Sequence, residues 1–63
     1  MHPEVVVRLT GSDGNAFAVM GKVTRALTQA GVGKAERDAF LAEAMSGDYD
    51  ELLATAMRWV TVT

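Results

Sequence analysis

Few side chains in this chain of 63 residues could take part in chemistry, and they do not form a catalytic set. The chain has no cysteine and a single histidine, His2, so disulfides and thiolate metal sites are excluded and a zinc site would need ligands from elsewhere. The serines Ser12 and Ser46 lie in turn sequences, and neither is paired with a general base. We therefore predict no catalytic residue, no metal ligand, no cofactor site and no enzymatic activity.

The densest acidic group surrounds Tyr49 and consists of Asp48, Asp50 and Glu51. Paired carboxylates can perform acid–base chemistry or bind a divalent cation. However, Asp48 followed by Glu51 is a pair like that of a capping box, and acids at a helix start stabilise the positive end of its dipole. We favour the capping interpretation. An inhibitor that mimics nucleic-acid phosphates through these three acids is an alternative.

A turn at residues 12–15 precedes a predicted helix, and helix N-termini can bind phosphate. The GxxxxGK[ST] pattern of a phosphate loop does not occur there, and the acidic spacing of an EF-hand loop is missing. We therefore interpret the segment as a turn followed by an N-cap, supplied by Asp13 or Asn15.

Basic residues on the polar helix faces suggest a second class of function. Lys22, Arg25 and Arg37 could form a patch that binds nucleic acid. The net charge of −2 and the lack of aromatic residues among these cations argue against it. A small nucleic-acid-binding regulator is therefore an alternative, and nucleic acid is not the expected partner.

Two short segments at the ends of the chain have the composition and alternation of strands. The first covers residues 4–10, and its predicted inward residues are Val5, Val7 and Leu9. The second covers residues 59–63, and its predicted inward residues are Val60 and Val62.

Three segments between these strands have helical periodicity. They cover residues 16–30, residues 34–45 and a stretch that begins at Asp48. The predicted buried residues of the first are Ala16, Phe17, Val19, Met20, Val23, Leu27 and Ala30. Those of the second are Ala35, Ala39, Phe40, Leu41, Ala44 and Met45. Those of the third are Tyr49, Leu52, Leu53, Ala56, Met57 and Val60, with Asp50, Thr55 and Arg58 on its polar side. Gly31 and Gly47 are predicted at the C′ positions of the first two helices.

The predicted fold is a single α+β domain over residues 1–63, ordered strand–helix–helix–helix–strand. The N- and C-terminal strands pair, and the three helices cover one face of this ribbon. The opposite face would then carry Val6, Arg8, Trp59 and Thr61, a candidate interface because Trp and Arg are enriched in binding hot spots. Alternatively, Trp59 belongs to the last helical turn and packs into the core, since element boundaries are hard to place.

The size and composition of the chain favour a globular protein that needs additional support. Hydrophobic residues make up 49% of the sequence, which is enough to form a core, but a core of this size is thin and no disulfide can reinforce it. We therefore expect a homodimer or another protein partner. No apolar run is long enough to span a membrane and no signal peptide is apparent, so we expect a cytoplasmic protein with no membrane contact.

Four segments of the sequence together resemble a known family. They are residues 13–17 (DGNAF), residues 30–32 (AGV), residues 43–50 (EAMSGDYD) and residues 57–60 (MRWV). The family consists of short, uncharacterised proteins encoded in bacterial and bacteriophage genomes. The resemblance implies a phage or mobile-element context, brings no established activity and identifies no site residue. The leading hypothesis is a non-enzymatic interaction or accessory protein that contacts itself or a host or phage protein.

Overall fold

The computed structural model describes residues 1–9 and 15–63 and contains two strands and three helices. In chain order these are β1 (His2–Val7), α1 (Ala16–Gln29), α2 (Lys34–Ala44), α3 (Tyr49–Trp59) and β2 (Val60–Val62). The predicted α+β order and the pairing of the terminal strands are confirmed. The predicted turn at residues 12–14, the Asp13 cap and residue 10, the last residue of the first predicted strand, lie outside the described residues.

The two strands pair in parallel, a direction that the sequence left open. Val6 is the register partner of Thr61 and Val7 that of Val62, while an irregularity separates these pairs from His2 and Val60. The ladder continues beyond the strands, since Leu9 N–H donates to Thr63 O at 3.2 Å and Thr63 N–H donates to Val7 O at 2.9 Å. Parallel strands need a long crossover connection, and the three helices provide it.

The helices cover one face of the sheet, as predicted. Val5, Val7 and Val60 are buried on this face, whereas Val6 and Thr61 are exposed on the other. The core is completed by residues from all three helices: Val19, Met20, Val23, Leu27, Phe40, Ala44, Leu52, Ala56 and Trp59. Alternation in β1 therefore determines which side of the sheet meets the helices.

Local sequence signals fix the ends of α1. The Asn15 side chain accepts a hydrogen bond from Phe17 N–H at 2.8 Å and is the N-cap. At the other end Gly31 has a φ of +88°, and the bonds Gly31 N–H to Thr28 O and Val32 N–H to Leu27 O form a Schellman motif. Both ends agree with the sequence prediction.

Several predictions of helix faces were wrong. Phe17 is 77% exposed, Met45 is 66% exposed and Met57 is 67% exposed, although all three were expected in the core. The small residues Ala30, Ala35 and Ala39 are exposed as well. Conversely, Thr55 is fully buried rather than on the polar side of α3. The physical reason is that each helix buries only the part of its apolar surface that a neighbouring element reaches, and tertiary packing sets that rotation.

The predicted position of Gly47 was also wrong. The C-cap of α2 is Met45, so Ser46 occupies C′ and Gly47 lies one residue further. A Cβ atom at Gly47 would lie 2.7 Å from Glu51 Cβ and Cγ. The glycine therefore permits a close approach between the α2–α3 connection and the first turn of α3.

Candidate functional site

The outer face of the sheet retains three of the four residues predicted as an interface. Val6 is 59% exposed, Arg8 and Thr61 are exposed, and Val6 lies beside Thr61 in the register. The Thr61 hydroxyl donates to Pro3 O at 2.8 Å, which ties the two strands together across this face.

Trp59, the fourth predicted interface residue, does not lie on this face. It is the last residue of α3 and is 4% exposed, so its predicted outward orientation was wrong, and the alternative, a place in the last helical turn with the ring in the core, is confirmed. Its ring meets Phe40 edge-on with a centroid distance of 5.8 Å, and His2 stacks over it at 6.1 Å. Its Nε1–H donates to Glu43 Oε2 at 3.2 Å, so the buried indole has a polar partner. The helix register carries this side chain into the core instead of outward.

A polar cluster around Trp59 fastens the start of β1 to α2 and α3. Glu43 accepts from Arg58 Nη2 at 2.8 Å in addition to the indole. The Met1 amino group donates to Arg58 O at 2.7 Å, and His2 Nε2 lies 2.9 Å from Glu36 Oε1. These contacts join distant parts of the chain, so the sequence analysis missed them, and no local pattern signals them. These contacts stabilise the fold by joining β1, α2 and α3.

An apolar groove, here called the Phe17 groove, lies between the start of α1, the end of α2 and the start of α3. Its volume is about 250 Å³, and it is lined by Ala16, Phe17, Met20, Ala44, Met45, Gly47, Asp48, Tyr49 and Leu52. Phe17 and Met45 project from it with most of their surface exposed. Exposed apolar side chains around a concave surface are typical of protein contact sites.

The second groove, here called the β2 groove, lies between α3 and the carboxyl ends of the strands. Its volume is about 320 Å³, and it is lined by Leu9, Leu53, Met57, Val62 and Thr63. None of these side chains carries a charge. The signal in the sequence was the width of the α3 stripe, because Leu53 and Met57, four residues apart, extend it beyond what one neighbouring element can cover.

The acidic segment has the structural role that we favoured. The Asp48 carboxylate accepts from Glu51 N–H at 3.0 Å and is the N-cap of α3, and Asp50 and Glu51 lie in its first turn. Within residues 1–9 and 15–63, no three His, Cys, Asp or Glu side chains are grouped so that they could hold a metal ion.

The structure brings the three predicted basic residues toward one side of α1. Lys22 and Arg25 are exposed on α1, three residues apart. Arg37 of α2 reaches back and donates from Nη1 to Thr28 Oγ1 at 3.0 Å, so it is half-buried and held against α1.

Comparison of the chain with protein-family models, curated proteins and solved structures finds no match. In the part of the chain that the structure describes, no helix has both the length and the apolar character needed to cross a bilayer.

Proposed function

We propose that this chain is a small non-enzymatic interaction protein that acts by protein–protein contact, in the phage or mobile-element context that the family resemblance implies. The observation that carries the proposal is the exposure of Phe17, Met45 and Met57 at two grooves with mainly apolar linings. Large apolar side chains gain free energy when a partner removes them from water, at about 25 cal/mol per Å².

Several polar side chains support this proposal because their contacts are with other residues of the chain. Asp48 caps a helix, Glu43 receives Arg58 and Trp59, and Lys34 pairs with Asp38 at 2.8 Å. The two alternatives have less support. An acidic phosphate mimic would need Asp48, which is engaged as a cap, and a nucleic-acid-binding protein would use Arg37, which is bound to Thr28.

The first prediction concerns the Phe17 groove. The immobilised chain should capture a protein from a bacterial extract, and Phe17→Glu should reduce that capture at least tenfold because a charge would be buried in the contact. Gln29→Glu is the matched control, since it adds the same charge to an exposed position of the same helix. Each captured protein is identified by mass spectrometry and then tested in purified form by calorimetry.

Val6→Glu tests the outer face of the sheet in the same way. If Val6→Glu abolishes capture and Phe17→Glu does not, the contact lies on the outer face of the sheet, at Val6, Arg8 and Thr61. Capture that is unchanged in both variants would contradict a contact through either surface.

A further inference from the structure

We propose that the free edge of β2 pairs with β2 of a second copy of this chain. The two strands would run antiparallel about a twofold axis at Val62 and join two sheets into one of four strands. This pairing is one form of the protein contact proposed above, but it uses the β2 groove and not the Phe17 groove.

The hydrogen bonds of Thr63 show which way the groups of Val62 point. Both polar groups of the Thr63 backbone are directed to β1, since its N–H donates to Val7 O and its C=O accepts from Leu9 N–H. Backbone groups alternate sides along a strand, so the N–H and C=O of Val62 are directed away from β1. The sheet formed by the described residues has only the order β1–β2, so β2 has no strand on that side.

The two edges of the sheet differ in how they are protected against pairing. β1 contains Pro3 and Glu4 and is followed by Arg8. Its register with β2 is also irregular between His2 and Val6. Each of these features hinders the addition of a further strand to the β1 edge. By contrast, residues 60–63 read VTVT, with no charged side chain, no proline and no bulge in β2. The unprotected edge is therefore that of β2.

A second copy fits this edge because the edge is self-complementary. In an antiparallel pair, two opposed residues can exchange both of their hydrogen bonds, and a twofold axis at Val62 opposes this residue to its own copy. Opposed side chains lie on the same face of a sheet. The Val62 side chain lines the β2 groove with Leu53 and Met57, so pairing would bring together two grooves whose lining side chains are uncharged.

The size of the chain gives a second reason for self-pairing. A domain of this length supplies a small core, and natural domains of this size add disulfides, metals or a partner subunit. This chain contains no cysteine, and the described residues contain no metal-ligand cluster. A second copy of the same chain can supply this support, because it is available wherever the protein is made.

The test compares two proline variants by sedimentation equilibrium over a concentration series. Val62→Pro removes the outward N–H of β2 and leaves the β1–β2 ladder intact, because proline is tolerated where the N–H of an edge strand faces outward. We expect a dimer for the wild type and at least a hundredfold weaker association for Val62→Pro. Val6→Pro is the matched control: by the same alternation it removes an outward N–H from β1, and it should remain dimeric. Circular dichroism verifies that each variant is folded.

A pair of methionine variants keeps the proposal testable if either proline variant unfolds. Met57 and Met45 are exposed to the same extent, 67% and 66%, but lie in different grooves. Met57→Glu should weaken the dimer at least tenfold, whereas Met45→Glu should leave it unchanged.

The pairing would be overturned by a wild-type protein that is monomeric at every concentration. It would also be overturned by a dimer that persists in both Val62→Pro and Met57→Glu. A β2 edge that pairs with a strand of a different protein and not with a second copy would overturn it as well. A wild-type monomer that still shows Phe17-dependent capture would refute only the pairing. A Val62-dependent dimer without such capture would refute only the Phe17 groove as a contact site.

Discussion

At the scale of single residues, Trp59 has the clearest consequence for function. Its ring is enclosed by Phe40 and His2, and its N–H is bound to Glu43. A residue of this type on a surface would be the natural anchor for a partner, but here it joins the last helix to the start of β1. The exposed large apolar residues are instead Phe17, Met45 and Met57, and the proposed contact surfaces are built on them.

The burial of Trp59 predicts a large effect on stability. Trp59→Ala should cost about 3–5 kcal/mol, comparable with the whole free energy of unfolding of a chain this short, about 3–9 kcal/mol. Urea unfolding followed by circular dichroism measures it. Met45→Ala, at a site that is 66% exposed and outside the β2 groove, should change stability by no more than about 0.5 kcal/mol.

An independent readout uses the fluorescence of the wild type, because Trp59 is the only tryptophan. Emission should be shifted to the blue relative to the unfolded chain and resist quenching by iodide. Strong quenching by iodide, together with a Trp59→Ala variant that remains folded, would show that Trp59 is exposed at the surface.

At the scale of elements, α3 combines three roles in eleven residues. Its first turn is capped by Asp48, its inner face contributes Leu52, Ala56 and Trp59 to the core, and its outer stripe of Leu53 and Met57 lines the β2 groove. The core-facing side fixes the rotation of the helix, and that rotation leaves the outer stripe beside the open edge of β2. The candidate site therefore depends on the integrity of α3.

The cap of α3 can be tested by two substitutions at one position. Asp48→Ala should destabilise the protein by about 1 kcal/mol, because Glu51 N–H loses its acceptor. Asp48→Asn should remain close to the wild type, since an amide oxygen caps as well as a carboxylate. Thermal unfolding of both variants at one protein concentration decides between them. Equal losses would show that the charge of Asp48, and not its cap, is what stabilises α3.

At the scale of the whole molecule, the parallel pairing of two strands far apart in the chain closes the fold. β1 and β2 stand at opposite ends of the sequence, and the three helices between them form the layer that buries one face of the sheet. Because the strands are parallel, both end at the same side of the molecule, where Leu9, Val62 and Thr63 line the β2 groove. The location of this groove is thus a property of the topology.

An engineered disulfide tests the parallel register. Val6 and Thr61 are register partners on the exposed face, and neighbouring strands lie about 4.8 Å apart, within reach of a disulfide. The double variant Val6→Cys with Thr61→Cys should oxidise readily and gain about 4 kcal/mol of stability from the long loop it closes. Mass spectrometry and urea unfolding, with and without reductant, measure both effects.

The matched control for the disulfide is Val6→Cys with Thr63→Cys. Thr63 lies two residues further along the chain, so its separation from Val6 is about 8 Å in a parallel ladder and too long for an unstrained disulfide. Equal oxidation of the two double variants would contradict the observed register.

The sequence by itself determined the features that depend on neighbouring residues. These are the order of the five elements, the inward side of β1 at Val5 and Val7, the Asn15 and Asp48 caps, and the glycine turn at Gly31. Each follows from the period of the chain or from a hydrogen bond within a few residues, so the local sequence is sufficient.

Only the tertiary structure decided the features that depend on contacts between distant residues. The rotation of each helix exposed Phe17 and Met57 and buried Thr55 and Trp59, because a helix with a wide apolar stripe can be turned several ways until its neighbours are in place. The parallel direction of β2 was decided in the same way, since the path of three packed helices determines at which end of β1 the chain returns. The β2 groove and its open edge result from both choices, and the rotation of α3 is the reason that the outward orientation predicted for Trp59 was wrong.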